Sequence, residues 1–343
     1  MENKKVLNRQ SNIELIRVVA IILIVLSHYS QHGLAHNFDN RTDFYILVAM
    51  FLRTLGQIGV TLFVLITGYF MIDGKFSIKK IFKIAFDTLF YSWSILLIML
   101  IFFKKYIAFN FYPDIIYKSV LPISTNQYWF VTTYLILYLC FPLLNIIFNN
   151  TEKKKLKKYG IIFGILWFII PPFMYKIHFA ESPLLCFFYI YFIGAYIKRY
   201  GIEELTRIKS FILIIISELI IISWLFICTL LHIYDSSWYG HLSSLNSIFI
   251  LLTSTSLFVI FLKWKIKYNH IINYIAGSSF AVYLITENIC MRKLLWLKIF
   301  KCNYSTNALY ILLNSFFAIV ISYLLCIVIN QLKKIYIDKI IFK

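Results

Sequence analysis

Seven ionisable side chains lie within long apolar runs of this 343-residue sequence: Glu14, Arg17, His28, Arg53, Asp87, Glu218 and Glu287. Charge is expensive in hydrocarbon, so each one is a candidate for function. Arg17 and His28 stand eleven positions apart. At about 100° per residue, that spacing is three turns plus about 20° and puts both side chains on one helix face, about 16 Å apart along the axis. Glu14, three residues before Arg17, lies near the same face and is within pairing reach of it. An arginine holds phosphate bidentately, and a histidine titrates near neutrality and can take a proton from a hydroxyl. Such a stripe suits a long, narrow ligand with its anionic end at Arg17 and its reactive end at His28. The same spacing also fits an Arg17 that snorkels or pairs with Glu14, beside a His28 that merely ends a helix. Spacing alone names no reaction.

Other groupings are weaker. His28, His32 and His36 recur every four residues, a metal-ligand spacing on a continuous helix, but Gly33 and Asn37 end the helix there. No metal centre is expected. Asp235, Ser236, Ser237 and His241 supply triad residue types in one short loop, where loop or cap roles are the expectation. Glu218 and Glu287 suit either a proton pathway or hydrogen bonds to neighbouring helices, and Arg53 suits a pairing with one of them or a place lining the site, between which spacing does not choose. Cys140, Cys186, Cys228, Cys290 and Cys326 lie in apolar runs and only Cys302 lies in a loop, with no CxxC pair, so neither zinc nor a disulfide framework is supported.

The elements that carry these residues follow from composition. The chain is 61% apolar, 19% aromatic and only 14% charged, with a mean hydropathy of +0.78. Those proportions exclude a soluble enzyme, a disordered chain or a disulfide scaffold, and leave a polytopic membrane protein. The net charge of +19 would suggest nucleic acid on a soluble chain. Here the basic residues cluster between apolar runs of membrane-spanning length, so the charge reports topology. Lys4, Lys5 and Arg9 precede a first run over 13–30 that resembles a secretory signal, but its Glu14, Arg17 and His28 and the lack of a cleavage site indicate a retained helix. Further runs fall near 56–73, 84–103, 128–148, 159–175, 184–198, 211–232, 242–262, 271–290 and 307–330. The stretch 44–55, with Arg53, reads as an interfacial or re-entrant lead-in to the second span.

The expected fold is therefore an all-α integral membrane bundle of about ten transmembrane helices, a single domain over 1–343. With the N-terminus in the cytoplasm, 23 Lys and Arg fall on inside segments against 9 outside, which predicts that both termini are cytoplasmic. No outside loop is long enough for a separate catalytic domain, which sets the chemistry within the bundle.

Six phrases in order along the chain resemble the membrane-bound acyltransferase-3 family. Residues 12–17 (NIELIR), followed by VVA and ending in LSH at His28, resemble its first helix, marked by an Arg and a His with ten residues between them. Residues 59–70 (GVTLFVLITGYF) resemble its second-helix phrase, and 77–83 (SIKKIFK) the basic stretch after it. Tyr128-Trp129-Phe130 with Tyr134, Tyr138 and Pro142 is similar to the family's Trp-Phe helix, and Phe192-Ile-Gly194 to a later one. Residues 280–288 (FAVYLITEN) resemble a closing motif that usually carries His where this chain has Thr286. The basic stretch also departs, with Lys where many relatives carry Arg.

The resemblance covers about residues 11–330. It implies an O-acyltransferase of the cell membrane, in the stand-alone form without an esterase-like domain, that moves acetyl from cytoplasmic acetyl-CoA to a hydroxyl of a surface or exported glycan. No permanently bound cofactor is implied. His28 and Arg17 are the expected catalytic pair. Arg17, Lys79, Lys80 and Lys83 would hold the CoA phosphates, while Trp129, Tyr134 and Glu287 would contact substrate. His28 would act as general base or carry the acetyl group transiently. The competing reading is a transporter or flippase for a glycan or lipid-linked sugar, which would show paired repeats and interrupted helices in matching halves; neither is found.

Overall fold

The computed structural model describes residues 10–36, 41–107, 112–171, 182–234 and 236–341, and among these it is helical with no strand. In chain order the helices are α1 (Ser11–His32), α2 (Asp43–Met71), α3 (Ile78–Phe102), α4 (Tyr112–Val120), α5 (Trp129–Asn149), α6 (Lys153–Gly164) and α7 (Pro183–Tyr200). They continue as α8 (Arg207–Leu230), α9 (Ser236–Tyr239), α10 (Ile248–Leu262), α11 (His270–Ala276), α12 (Ser279–Thr286), α13 (Ala308–Lys333) and α14 (Lys339–Ile341). Side-chain caps start several of them: Thr42 accepts from the Tyr45 N–H, Thr206 from Lys209, Asn269 from Ile272 and Asn307 from Leu309. Lys4, Lys5 and Arg9 lie outside the described residues.

Among the described residues six stretches are long and apolar enough to cross a membrane: α1, α2, α3, α5, α8 and the continuous run from α13 through α14. α10 has 15 residues, and the apolar helix over His270–Thr286 is divided between α11 and α12. At about 1.5 Å per residue a 15-residue helix is about 22 Å long, short of the roughly 30 Å hydrocarbon core. One expectation is corrected. Residues 44–55 are no separate lead-in; α2 runs unbroken for 29 residues from Asp43 to Met71. Apart from Arg53 and Thr54 the stretch is apolar or aromatic, and it holds no proline and no glycine before Gly56, so nothing in it stops the helix.

Glycine sets the closest helix contacts. A Cβ at Gly59 would meet the Ala20 carbonyl oxygen at 2.4 Å, so α2 lies directly on α1 there. Gly68 and Gly194 do the same reciprocally between α2 and α7: their Cβ atoms would lie 2.1 Å from the Tyr191 oxygen and 2.3 Å from the Leu65 oxygen. Small residues that let backbones touch are the usual means of helix packing in membranes. Buried polar side chains add ties, with Ser27 Oγ donating to the Arg53 carbonyl at 2.8 Å and Tyr191 Oη to Asn145 Oδ1 at 2.6 Å.

The outer faces are apolar. On α8, Ile208 is 73% exposed and Phe211, Ile215 and Leu219 are also exposed; on α13, Leu312 is 66% exposed beside Leu309 and Phe316. Aliphatic surface of that extent is the face a bundle presents to lipid. Tyr29, Tyr45, Tyr128, Tyr191, Phe187 and Trp296 are large buried side chains of the interior.

Candidate active site

His28 lies near the C-terminal end of α1, 7% exposed, and both its ring nitrogens are engaged from one segment of chain. Nδ1 is 3.0 Å from Thr286 Oγ1 at the end of α12, and Nε2 is 3.0 Å from Oε2 of the next residue, Glu287. Thr286 gives its own proton to the Val282 carbonyl one turn back, at 2.8 Å, so its oxygen accepts from Nδ1–H. Satisfying both contacts at once takes a proton on each nitrogen. The two acceptors, Thr286 Oγ1 and Glu287 Oε2, are thus complementary to an imidazolium at this position.

Glu287 is held in turn. His32, one turn after His28, places Nε2 2.9 Å from the same Oε2, and Arg292 bonds the other carboxylate oxygen while its Nε donates to the Glu287 carbonyl at 3.1 Å. Trp296 Nε1 donates to the Thr286 carbonyl at 3.4 Å. The chain leaves helical geometry at Glu287 and Asn288 before the π-helical turn over Lys293–Ile299. That break lets Thr286, Glu287 and Arg292 converge on α1.

Three adjoining cavities run along α1. The first, about 400 Å³, has His28, Gln31, Gln57, Lys118, Asn126, Gln127, Trp129, Glu287 and Arg292 in its wall. It shares Ile24 and Tyr283 with a more apolar middle chamber of about 310 Å³, lined by Arg17, Phe63, Phe130, Tyr134 and Phe280. That chamber shares Arg17, Ile66, Thr67, Ile84 and Tyr134 with a mouth of about 400 Å³ that carries Lys80, Lys83 and Asp87. Arg17 pairs with Glu14 at 2.7 Å and still lines both of the last two cavities, so pairing and facing the cavity are not exclusive.

Of the other sequence candidates, Lys83 contacts Asp338 at 3.1 Å at the mouth, whereas Lys79 is exposed and not part of that wall. Trp129 lies in the His28 chamber and Tyr134 between the middle chamber and the mouth. Arg53 bonds Tyr239 Oη rather than either glutamate, and Glu218 accepts from Thr253 at 2.9 Å. Asp87 takes a hydrogen bond from Lys333 at 2.5 Å. Among the described residues no group of three or more His, Cys, Asp or Glu has metal-binding geometry. Asp235 and the side chains of His36, Ser236 and Ser237 lie outside the described residues, and the His241 ring lies tilted beside Trp238, with centroids 6.3 Å apart. Cys302 is buried beneath Gly33, and its burial pushes the thiol well above the ordinary range.

Four site residues escaped the sequence reading: Arg292, Gln57, Gln127 and the partner role of Thr286. His32 did carry a signal, since a histidine one turn from His28 must share its face.

The helical bundle thus holds a buried histidine–carboxylate pair at one end of a row of adjoining cavities, with Arg17, Lys80 and Lys83 at the other end. The family model described as an acyltransferase domain, acyltransferase-3, matches residues 10–330, and the chain belongs to that family of membrane acyltransferases. No curated protein and no solved structure matches the chain.

Proposed function

We propose that the protein is an O-acyltransferase of the cell membrane that takes acetyl from cytoplasmic acetyl-CoA and delivers it to a hydroxyl of a surface or exported glycan. The observation that carries this reading is the row of cavities joining Arg17, Lys80 and Lys83 at one end to His28 at the other. The CoA phosphates bind at Lys80, Lys83 and Arg17, with Lys79 nearby as a longer-range charge, and the pantetheine arm threads the middle chamber toward His28. Arg17 and His28 are about 16 Å apart along α1 by helical rise, a separation that suits a narrow arm rather than a compact donor.

His28 takes the proton of the acceptor hydroxyl as its oxygen attacks the thioester carbonyl. The tetrahedral intermediate collapses, the carbon–sulfur bond breaks, and the proton passes to the departing CoA thiolate. Glu287 and Thr286 stabilise the imidazolium between these steps, with His32 and Arg292 fixing the carboxylate. Trp129 offers the acceptor an aromatic wall, and Tyr134 borders the path of the arm. The bundle is proposed to cross the membrane about ten times with both termini cytoplasmic, which places the lysine-bearing mouth inside.

The test is the ester-linked acetyl content of surface glycans in the native host, comparing wild type with His28→Ala at equal membrane abundance. Loss of acetyl ester is expected. Unchanged acetylation would overturn the assignment and bring a transport function forward.

A further inference from the structure

The His28 chamber holds buried amide groups that the protein leaves without partners. Both Oε1 and Nε2 of Gln127 and the Oε1 of Gln57 are buried and unbonded, and Gln127 is only 8% exposed. Both residues belong to the chamber wall. A buried amide left unpaired destabilises a fold, so its persistence inside a cavity points to a ligand that completes it.

The position of Gln127 is firmly built. It follows Asn126, whose left-handed φ of 57° ends the turn after α4, and its N–H bonds the Pro122 carbonyl at 3.1 Å. Its neighbour Tyr128 is fully buried, donating to the Leu284 carbonyl at 3.0 Å and accepting from Asn288 at 2.8 Å. The turn is therefore fastened to the segment that carries Thr286 and Glu287. Such anchoring holds an amide at a defined place beside the base.

The chemistry of the free groups selects a ligand class. The chamber's cations are already answered: Arg292 by Glu287, and Lys118 by Asp114 at 2.8 Å. What remains is two carbonyl oxygens and one amide nitrogen. A hydroxyl both donates and accepts and so satisfies all three, whereas a carboxylate or phosphate would set its lone pairs against the two oxygens. We propose that Gln57 and Gln127 form the acceptor subsite and bind hydroxyls flanking the one that is acylated, selecting a neutral polyhydroxylated ring over an acidic one. This rests on the acyltransferase reading above.

The full chain in lipid nanodiscs is tested with methyl glucoside and methyl glucuronoside as neutral and acidic probes, binding being read by saturation-transfer NMR. Wild type is expected to bind the neutral probe in preference. Gln127→Met and Gln57→Met, each close in shape, should weaken neutral-probe binding by about tenfold, about the loss of one hydrogen bond, with acetyl-CoA affinity changed by less than about twofold. Gln127→Asn, shorter but still an amide, serves if the methionine variant does not fold. Equal or stronger binding of the acidic probe by wild type, no binding of either probe, or methionine variants that bind as wild type would each overturn the proposal. His28→Ala separates the two readings. Neutral-probe binding that depends on Gln127, together with unchanged host acetylation in His28→Ala, keeps the subsite and removes the transferase. Acylation of an acidic glycan without neutral-probe binding does the reverse.

Discussion

Glu287 touches His28, His32 and Arg292 at once, and that sharing decides what its replacement should do. Glu287→Gln keeps the shape but removes the charge that balances the imidazolium. The expected result is a transfer rate lower by about 100-fold or more, with acetyl-CoA affinity near wild type, measured by single-turnover acetyl transfer in nanodiscs. Thr286→Val removes the partner of Nδ1 and should cost about tenfold or more, in keeping with one hydrogen bond from a charged ring to a hydroxyl. A rate unchanged in both variants would remove this segment from the chemistry. The spacing of Arg17 and His28 on one helix made half of this arrangement legible in the sequence. Glu287 stood out as a buried charge, but its partner did not, because 255 residues separate it from His32 and no local periodicity spans that distance.

At the level of helices, packing rests on a few contacts that can be broken singly. Lys333 at the end of α13 is 3% exposed and bridges Asp87 of α3 at 2.5 Å and Asp338 at 2.6 Å. Lys333→Met leaves both carboxylates without their shared cation, and destabilisation of about 3–5 kcal/mol is expected, read as a lower thermal midpoint in detergent. The double variant Lys333→Met, Asp87→Asn should recover part of the loss; equal midpoints for all three proteins would show that the bridge holds nothing. Gly68→Leu should separate α2 from α7, because its side chain has only the Tyr191 backbone to occupy, at a cost of about 1–3 kcal/mol or more by the same measurement. Apolar runs located the helices well. They mistook residues 44–55 for a separate lead-in because one arginine shortened the apolar count, whereas the helix continues as long as backbone hydrogen bonds do.

For the whole molecule, the decisive feature is the boundary between the His28 chamber and the middle chamber, which share Ile24 and Tyr283 in their walls. Ile24→Trp should close that boundary. Acetyl transfer is expected to fall to background while CoA without an acyl group still binds at the mouth; retained transfer would mean that the donor reaches His28 by another route. Because Lys80 and Lys83 are exposed, CoA affinity should also drop as salt rises from about 50 to 500 mM, since exposed charges are screened within a Debye length. By itself the sequence determined the membrane class, the positions of most helices, the shared face of Arg17 and His28 and the family resemblance, because all of these depend on composition or on neighbours a few turns apart. Contacts set by the tertiary structure alone are those of Thr286 and Glu287 with the His28 ring, the place of Lys80 and Lys83 but not Lys79 in the wall of the mouth, and the presence of Gln57 and Gln127 in the wall of the His28 chamber. Those contacts are made between helices distant in the chain, and the side chains that meet there are chosen by packing, which no local pattern encodes.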